Sequence, residues 1–285
     1  MKLSMLPFGI FVAIALLLFS GQANATTIFS AKFDGLTKDY ICSAMNASGD
    51  CGSANAPPGF TGFHQNTMCG NYGQYNSEVI REAGRSGKTT DRGFRINLEQ
   101  RCFPTGENSL TIRLGADYNK FYLRWYQKMS LNKFDNFVKI FRMYNSAGSQ
   151  ILIPEFHNDN GATRFILGVS PFSGGAPFNK NYRLDADYTP DTWVCYEILI
   201  DIPNQKWTFW VNGVNKGTLT CSGIDKSWSV RTIDVGGNQY GNYQTVAPHE
   251  DYIDYDDIII ADTYIGPDNA ASEVPAPSGL RIVSQ

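Results

Sequence analysis

Residues 192–214 read TWVCYEILIDIPNQKWTFWVNGV. Two runs in it alternate apolar and polar side chains at the two-residue period of a pleated strand. Pro203-Asn204-Gln205 separates the first run from KWTFWV, and Asn212-Gly213 is a dipeptide that accepts the positive φ angles of a tight type I′ turn. Three consecutive antiparallel strands are therefore expected here. The same period recurs outward along the chain, at 27–33, 93–98, 109–113, 120–129, 137–144, 150–157, 164–169, 192–202, 206–211, 232–235 and 256–262. No amphipathic run reaches three helical turns. Many strands joined by short turns predict an all-β fold, a two-sheet antiparallel β-sandwich.

The first 25 residues stand apart. Lys2, the apolar run from Leu6 to Phe19 and then Ala23-Asn24-Ala25 form the pattern of a secretory signal peptide with a small-x-small cleavage site. The apolar run is shorter than the roughly 20 residues that cross a bilayer. An exported chain (extracellular, cell surface or periplasm) with no membrane span after processing is expected. Residues 26–268 read as one domain, and 269–285 as a linker-like tail. Lys plus Arg number 24 against 27 Asp plus Glu, a net charge of −3, which excludes the basic face of a nucleic-acid-binding domain. Charged residues make up 18% and aromatic ones 13%, so the surface suits neutral hydrogen bonding and ring stacking. The oligomeric state is open.

Cys42, Cys51, Cys69, Cys102, Cys195 and Cys221 are an even set in an exported chain, which predicts three disulfides. Cys195 with Cys221 is the expected pair in the strand-rich segment; Cys42 with Cys51 and Cys69 with Cys102 would staple the loop-like stretch 39–76. Metal binding by cysteine is disfavoured, because no CxxC is present and the chain has three His.

Within FYLRWYQKM (121–129), Tyr122, Arg124, Tyr126 and Lys128 share one face, and Phe121, Leu123, Trp125 and Met129 the other. The second set is the expected core. Aromatic rings beside cations can stack on sugar rings and pair with anionic groups, and Arg142, Gln239 and Tyr240 are candidates to border the same groove. The alternative is a sheet face that is merely covered.

IFSAKFDG, FYLRWYQKM, TWVCYEILIDIPNQKWTFWVNGV, DVGGNQY and YDDIIIADTYIG, in that order over residues 27–266, resemble the strand signatures of bacterial concanavalin A-like lectin/glucanase jelly rolls. The resemblance implies two antiparallel sheets, neighbouring first and last strands, and a concave face that binds a polysaccharide or other glycan. It also implies a structural calcium held by Asp34 and Asp257, with carbonyls near Gly35, as a hard cation prefers. The competing reading takes residues 254–257 as the polar margin of an edge strand.

Hydrolysis is disfavoured, because the E-x-D-x-x-E rhythm that sets two carboxylates across a glycosidic bond is absent. A polysaccharide lyase that cleaves a uronate-containing glycan by β-elimination is the alternative to a binding protein. Arg81-Glu82 with Arg85, Glu155-Phe156-His157 and Tyr243-Gln244 loosely resemble the alginate-lyase motif series in order. That resemblance implies His157, Tyr240 or Tyr243 as acid and base and Arg124 as neutraliser. Glu155 stands where the series has Gln, and an ionised glutamate there repels a uronate. A His at a strand end also occurs as a solvated surface group. A third class, a structural or adhesive extracellular module, needs no sugar.

Overall fold

A computed structural model describes residues 26–41, 51, 56–64, 77–88, 90–98, 109–130, 137–159, 162–169, 183–236, 239–240 and 251–268. The expected signal peptide and tail, Cys42, Cys69, Cys102 and Tyr243 lie outside the described residues.

Alternation along Lys120–Met129 (β7) builds the centre of the first sheet. Phe121, Leu123, Trp125 and Met129 are buried in the core, as expected. On one side β7 pairs with Val194–Asp201 (β13), which continues to Lys206–Val211 (β14) and Val214–Thr220 (β15) through the two predicted hairpins. Asn212 and Gly213 both take the positive φ that the second turn requires. On the other side β7 pairs with the last strand, Asp251–Ala261 (β18), followed by Gly93–Leu98 (β5), Ser77–Ile80 (β4) and Tyr40–Ile41 (β2). Thr27–Ala31 (β1) pairs with β18, so the first and last strands are neighbours, as the family resemblance implied.

The second sheet runs Arg183–Asp185 (β12), Ala162–Val169 (β11), Gln150–Asp159 (β10), Phe141–Tyr144 (β9), Val230–Gly236 (β16), Ser109–Tyr118 (β6) and Gly62–His64 (β3). Phe137–Lys139 (β8) pairs with β10 and with Gln239–Tyr240 (β17). All pairings in both sheets are antiparallel. The inner faces meet through aromatic side chains: Trp125 on Phe141 at 4.9 Å, Phe156 on Tyr196 at 5.0 Å and Phe165 stacked on Phe209 at 4.2 Å between ring centroids. These contacts place one continuous hydrophobic core between the layers.

The single strand expected over 137–144 is two strands, and Pro154 is the reason. Ile140 donates its N–H to the Pro154 carbonyl at 3.0 Å, so the missing Pro154 N–H faces Ile140. The Ile140 carbonyl instead accepts the N–H of Gly236 at 2.7 Å, and the chain passes from β10 toward β16.

The expected Cys195–Cys221 disulfide is corrected: both cysteines are free and buried. Cys195 accepts the N–H of Asn212 at one end of β14, whereas Cys221 donates to Gln205 at the other. The intervening strand spans about 17 Å, and a disulfide needs Cα atoms within about 7 Å. Closeness in sequence across two hairpins put the pair at opposite ends of one strand.

Candidate functional site

The sandwich has two outer faces, and the residues singled out from the sequence divide between them. Tyr122, Arg124, Tyr126 and Lys128 do share one face of β7, but Tyr122, Arg124 and Tyr126 are engaged by residues 264–268 and Lys128 by Asp254. Arg124 is 1% exposed. Its guanidinium donates to the Gly266 carbonyl at 3.0 Å and to Asp268 at 2.5 and 3.3 Å. Glu197, opposite Arg124 in register, accepts the backbone N–H groups of Ile265 and Gly266 at 2.8 Å each. Burial pushes the Glu197 carboxyl up, while those two N–H groups and Arg124 hold it down. The Tyr126 hydroxyl accepts the N–H of Asp268 at 2.8 Å, and Arg85 stacks on its ring at 3.8 Å. Tyr122 packs with Trp210 and Tyr264 at 6.1 and 6.3 Å. Lys128 pairs with the fully buried Asp254 at 3.2 Å, which also takes two bonds from Arg95 at 2.7 and 2.9 Å. The expected sugar platform is, in this structure, the bed of a C-terminal strap.

Arg85 is anchored at the same margin. It engages Asp257, reaches Asp268 at 3.1 Å, and its backbone N–H donates to Asp256 at 2.9 Å. Gly93 lets this loop approach, since a Cβ there would lie 1.8 Å from the Ala83 carbonyl oxygen. Arg81 and Glu82, in the 3-10 turn Arg81–Ala83, therefore belong to the first sheet's edge. Asp257 has φ 47° at a bulge where β18 changes partner from β5 to β1. Burial, with Asp257 and Asp91 adding like charge, raises the Asp256 carboxyl to about 9. Burial and a hydrogen bond to Asp91 raise Asp34 to about 6, with Asp91 and Asp257 contributing like charge. Asp34 and Asp257 are thus near enough to feel each other. Asp257 is nevertheless turned to Arg85, and among the described residues no three His, Cys, Asp or Glu groups converge to hold a metal. As placed, the pair does not fit a calcium cage.

The second sheet's outer face is built differently. Core residues Leu152 and Phe156 alternate on β10 with Glu155 and His157, which point away from the core yet are 0% and 8% exposed. His157 Nε2 and Glu155 Oε1 share a hydrogen bond. Glu155 Oε2 is buried with no hydrogen-bond partner among the described residues. In register, Glu155 lies between Lys139 of β8 and Ile166 of β11, and His157 between Phe137 and Arg164. Burial raises the Glu155 carboxyl to about 7, against the opposing pull of His157 and Lys139. Arg142 lies on this sheet too, 3.8 Å from Asp234, whose other oxygen accepts the Thr111 hydroxyl at 2.7 Å. The expectation of one groove shared by Arg124 and Arg142 is corrected: they occupy opposite sides of the sandwich.

Gln239 and Tyr240 are described only as backbone. Tyr240 pairs with Phe137, and Phe137 with His157, so Tyr240 is two strands from His157 in one row. Neighbouring strands at about 4.8 Å put the two backbones about 10 Å apart. The structure thus brings His157, Gln239, Tyr240 and Arg142 to one sheet and leaves Arg124 on the other. Sequence reading missed Lys139 and Asp234; the available signal was a charge set between Val138 and Ile140 in a strand with an apolar face.

No family model matches the chain, and no curated protein matches it. Among solved structures, the chain is similar to alginate lyase Aly36B (13% identity, TM-score 0.49, covering 82% of this chain and 97% of that one). It is similar to the cellulose-induced protein Cip1 (13% identity, TM-score 0.46, covering 67% and 87%). It is also similar to a botulinum neurotoxin serotype D binding domain (15% identity, TM-score 0.46, covering 84%), of which it spans about half, 48%. Among the described residues, no helix is long and apolar enough to cross a membrane.

Proposed function

We propose that the chain is an exported polysaccharide-recognising protein, and that the enclosed polar set Lys139, Arg142, Glu155 and His157 on the second sheet's outer face, 0–8% exposed, lies beneath the glycan site rather than forming its open surface. The observation that supports this most directly is Glu155: a side chain that points away from the core, is shielded from water and leaves one carboxyl oxygen without a partner among the described residues. A buried polar group in that state destabilises the fold, and a ligand that supplies the missing partner accounts for it. Two cationic side chains on the same face suit an anionic or hydroxyl-rich chain.

The Glu155–His157 hydrogen bond favours a second reading, β-elimination on a uronate. A carboxyl bonded to Nε2 fixes the orientation of the imidazole, as an acid/base group requires. His157 would take the proton beside the uronate carboxylate, and Lys139 or Arg142 would stabilise the charge that develops.

The test is incubation with neutral and uronic-acid polysaccharides, following both the ultraviolet absorbance of an unsaturated uronate and retention on the polymer. Retention without absorbance supports the binding reading. Rising absorbance establishes the lyase, and His157→Ala should then lower the rate about 10²- to 10⁴-fold while retention persists. Silence in both assays shifts the assignment to a structural or adhesive module.

A further inference from the structure

We propose a second sugar site at the Lys128 end of the first sheet's outer face, where Trp193 is the platform for a neutral pyranose and Asp191 and Lys128 bind its hydroxyls. It lies on the sheet opposite the glycan site proposed above and does not depend on it. The strap engages β7 at Tyr122, Arg124 and Tyr126, whereas Lys128 stands among other groups. Its ammonium is 5.2 Å from the ring centroids of both Trp193 and Tyr252. It spends one N–H on Asp254 at 3.2 Å, and an ammonium has two more to offer. The Tyr252 hydroxyl donates to Asp191 Oδ1 at 2.9 Å, which leaves Oδ2 as an acceptor. A ligand can reach these groups, because Asp191 is exposed and Trp193 and Tyr252 are half-buried.

The parts are held in place before any ligand arrives, which lowers the cost of binding. Asp191 takes φ 55°, a left-handed conformation that residues other than glycine seldom adopt, and its N–H donates to the Met129 carbonyl at 2.8 Å. That turn sets the carboxyl beside Tyr252 and leads into Trp193. Arg95 packs on the Tyr252 ring at 4.0 Å, so Tyr252 is the brace and Trp193 the ring left for stacking. A pyranose has an apolar C–H face and a rim of hydroxyls; an indole beside one acceptor and one donor matches both. Charge decides the class of sugar. Arg95 and Lys128 face the carboxylates of Asp254, Asp191 and, across the ladder from Arg95, Glu78. The cations are outnumbered, so the site favours a neutral sugar over a uronate.

The experiment titrates the full chain with cellohexaose, laminarihexaose, xylohexaose and mannohexaose, each alone, and with hexagalacturonate as the charged counterpart. Indole N–H signals are followed by NMR, with Trp193 identified by the signal lost in Trp193→Phe. At least one neutral sugar should shift the Trp193 signal. Trp193→Ala should weaken its binding about tenfold, and Trp193→Phe, which keeps a ring, should retain most of it. Asp191→Gly keeps the left-handed turn but removes the carboxylate; it should weaken binding about tenfold with little change in melting temperature. Shifts confined to other tryptophans, or binding that Trp193→Ala and Asp191→Gly leave unchanged, overturn the inference and leave the second-sheet reading standing. A Trp193-dependent preference for hexagalacturonate overturns the neutral class, and failure to bind any neutral sugar overturns the site.

Discussion

The two outer faces carry similar side chains in opposite circumstances. On the first sheet, Arg124, Glu197 and Tyr126 are joined to the backbone and side chains of residues 262–268, and Arg95, Lys128 and Asp254 are joined to one another. On the second, Glu155 is as deeply enclosed and its one described hydrogen bond is to His157, with Oε2 left without a partner as Nε of Arg124 is on the first. The difference separates polar groups that hold the fold together from polar groups held ready by it. The first kind destabilises when removed; the second need not.

The largest effect that can break this comparison is at Arg124. Arg124→Ala strands the strap's carbonyl and Asp268 and leaves Glu197 buried without its cation. It should destabilise by about 3–5 kcal/mol and lower the melting temperature by about 10 °C. A melt within 2 °C of wild type, by the same scaling, would mean that the strap is not a latch. The reverse case sharpens it: Glu155→Met replaces a buried acid with an apolar side chain of similar length. Its melting temperature should stay level or rise, by about 1 kcal/mol of stability, while polysaccharide retention is lost. A strongly destabilised Glu155→Met would put Glu155 in the structural class.

The smallest effect lies at the acidic margin. Asp34, raised to about 6 chiefly by burial and its bond to Asp91, prefers the protonated form in the folded state. Its contribution is therefore present below about pH 4 and lost as pH rises through about 6. Asp34→Asn should remove that slope, by less than about 1 kcal/mol because the Asp34 side chain is only partly enclosed and solvent screens most of the effect. We propose the same melts, with and without calcium or chelator, as the test of the structural calcium implied by the family resemblance: an upward shift with calcium that Asp34→Asn abolishes would support it, and no shift would remove it.

Much of the architecture was legible because strand period is a local property. β5, β7 and β14 have the bounds their alternation predicts. Short strands such as β2, β3, β12 and β17 were not found, since two or three residues cannot display a period. The split at Ile140 was hidden because it originates in a proline on another strand. The site was legible only in part, for a related reason. Alternation states which residues of β7 share a face, and that statement holds. It does not state what lies over the face, which is decided by a segment about 140 residues further along. His157 and Arg142 lie on the side of the second sheet that faces away from the core, and sequence offered no means of assigning them to the sheet opposite Arg124.

The pairing of β18 also bears on how the chain is made. β7 connects the hairpins of β13 to β15 with the remainder of the first sheet only through β18, the last strand. Until residues 251–261 leave the ribosome, β1, β5, β4 and β2 have no strand to join them to β7. The first sheet is then three separate pieces, β7 with β13 to β15, β5 with β4 and β2, and β1 alone, and its closure waits for residues 251–261 to emerge. A truncation before residue 251 should thus yield aggregates, not a smaller sandwich.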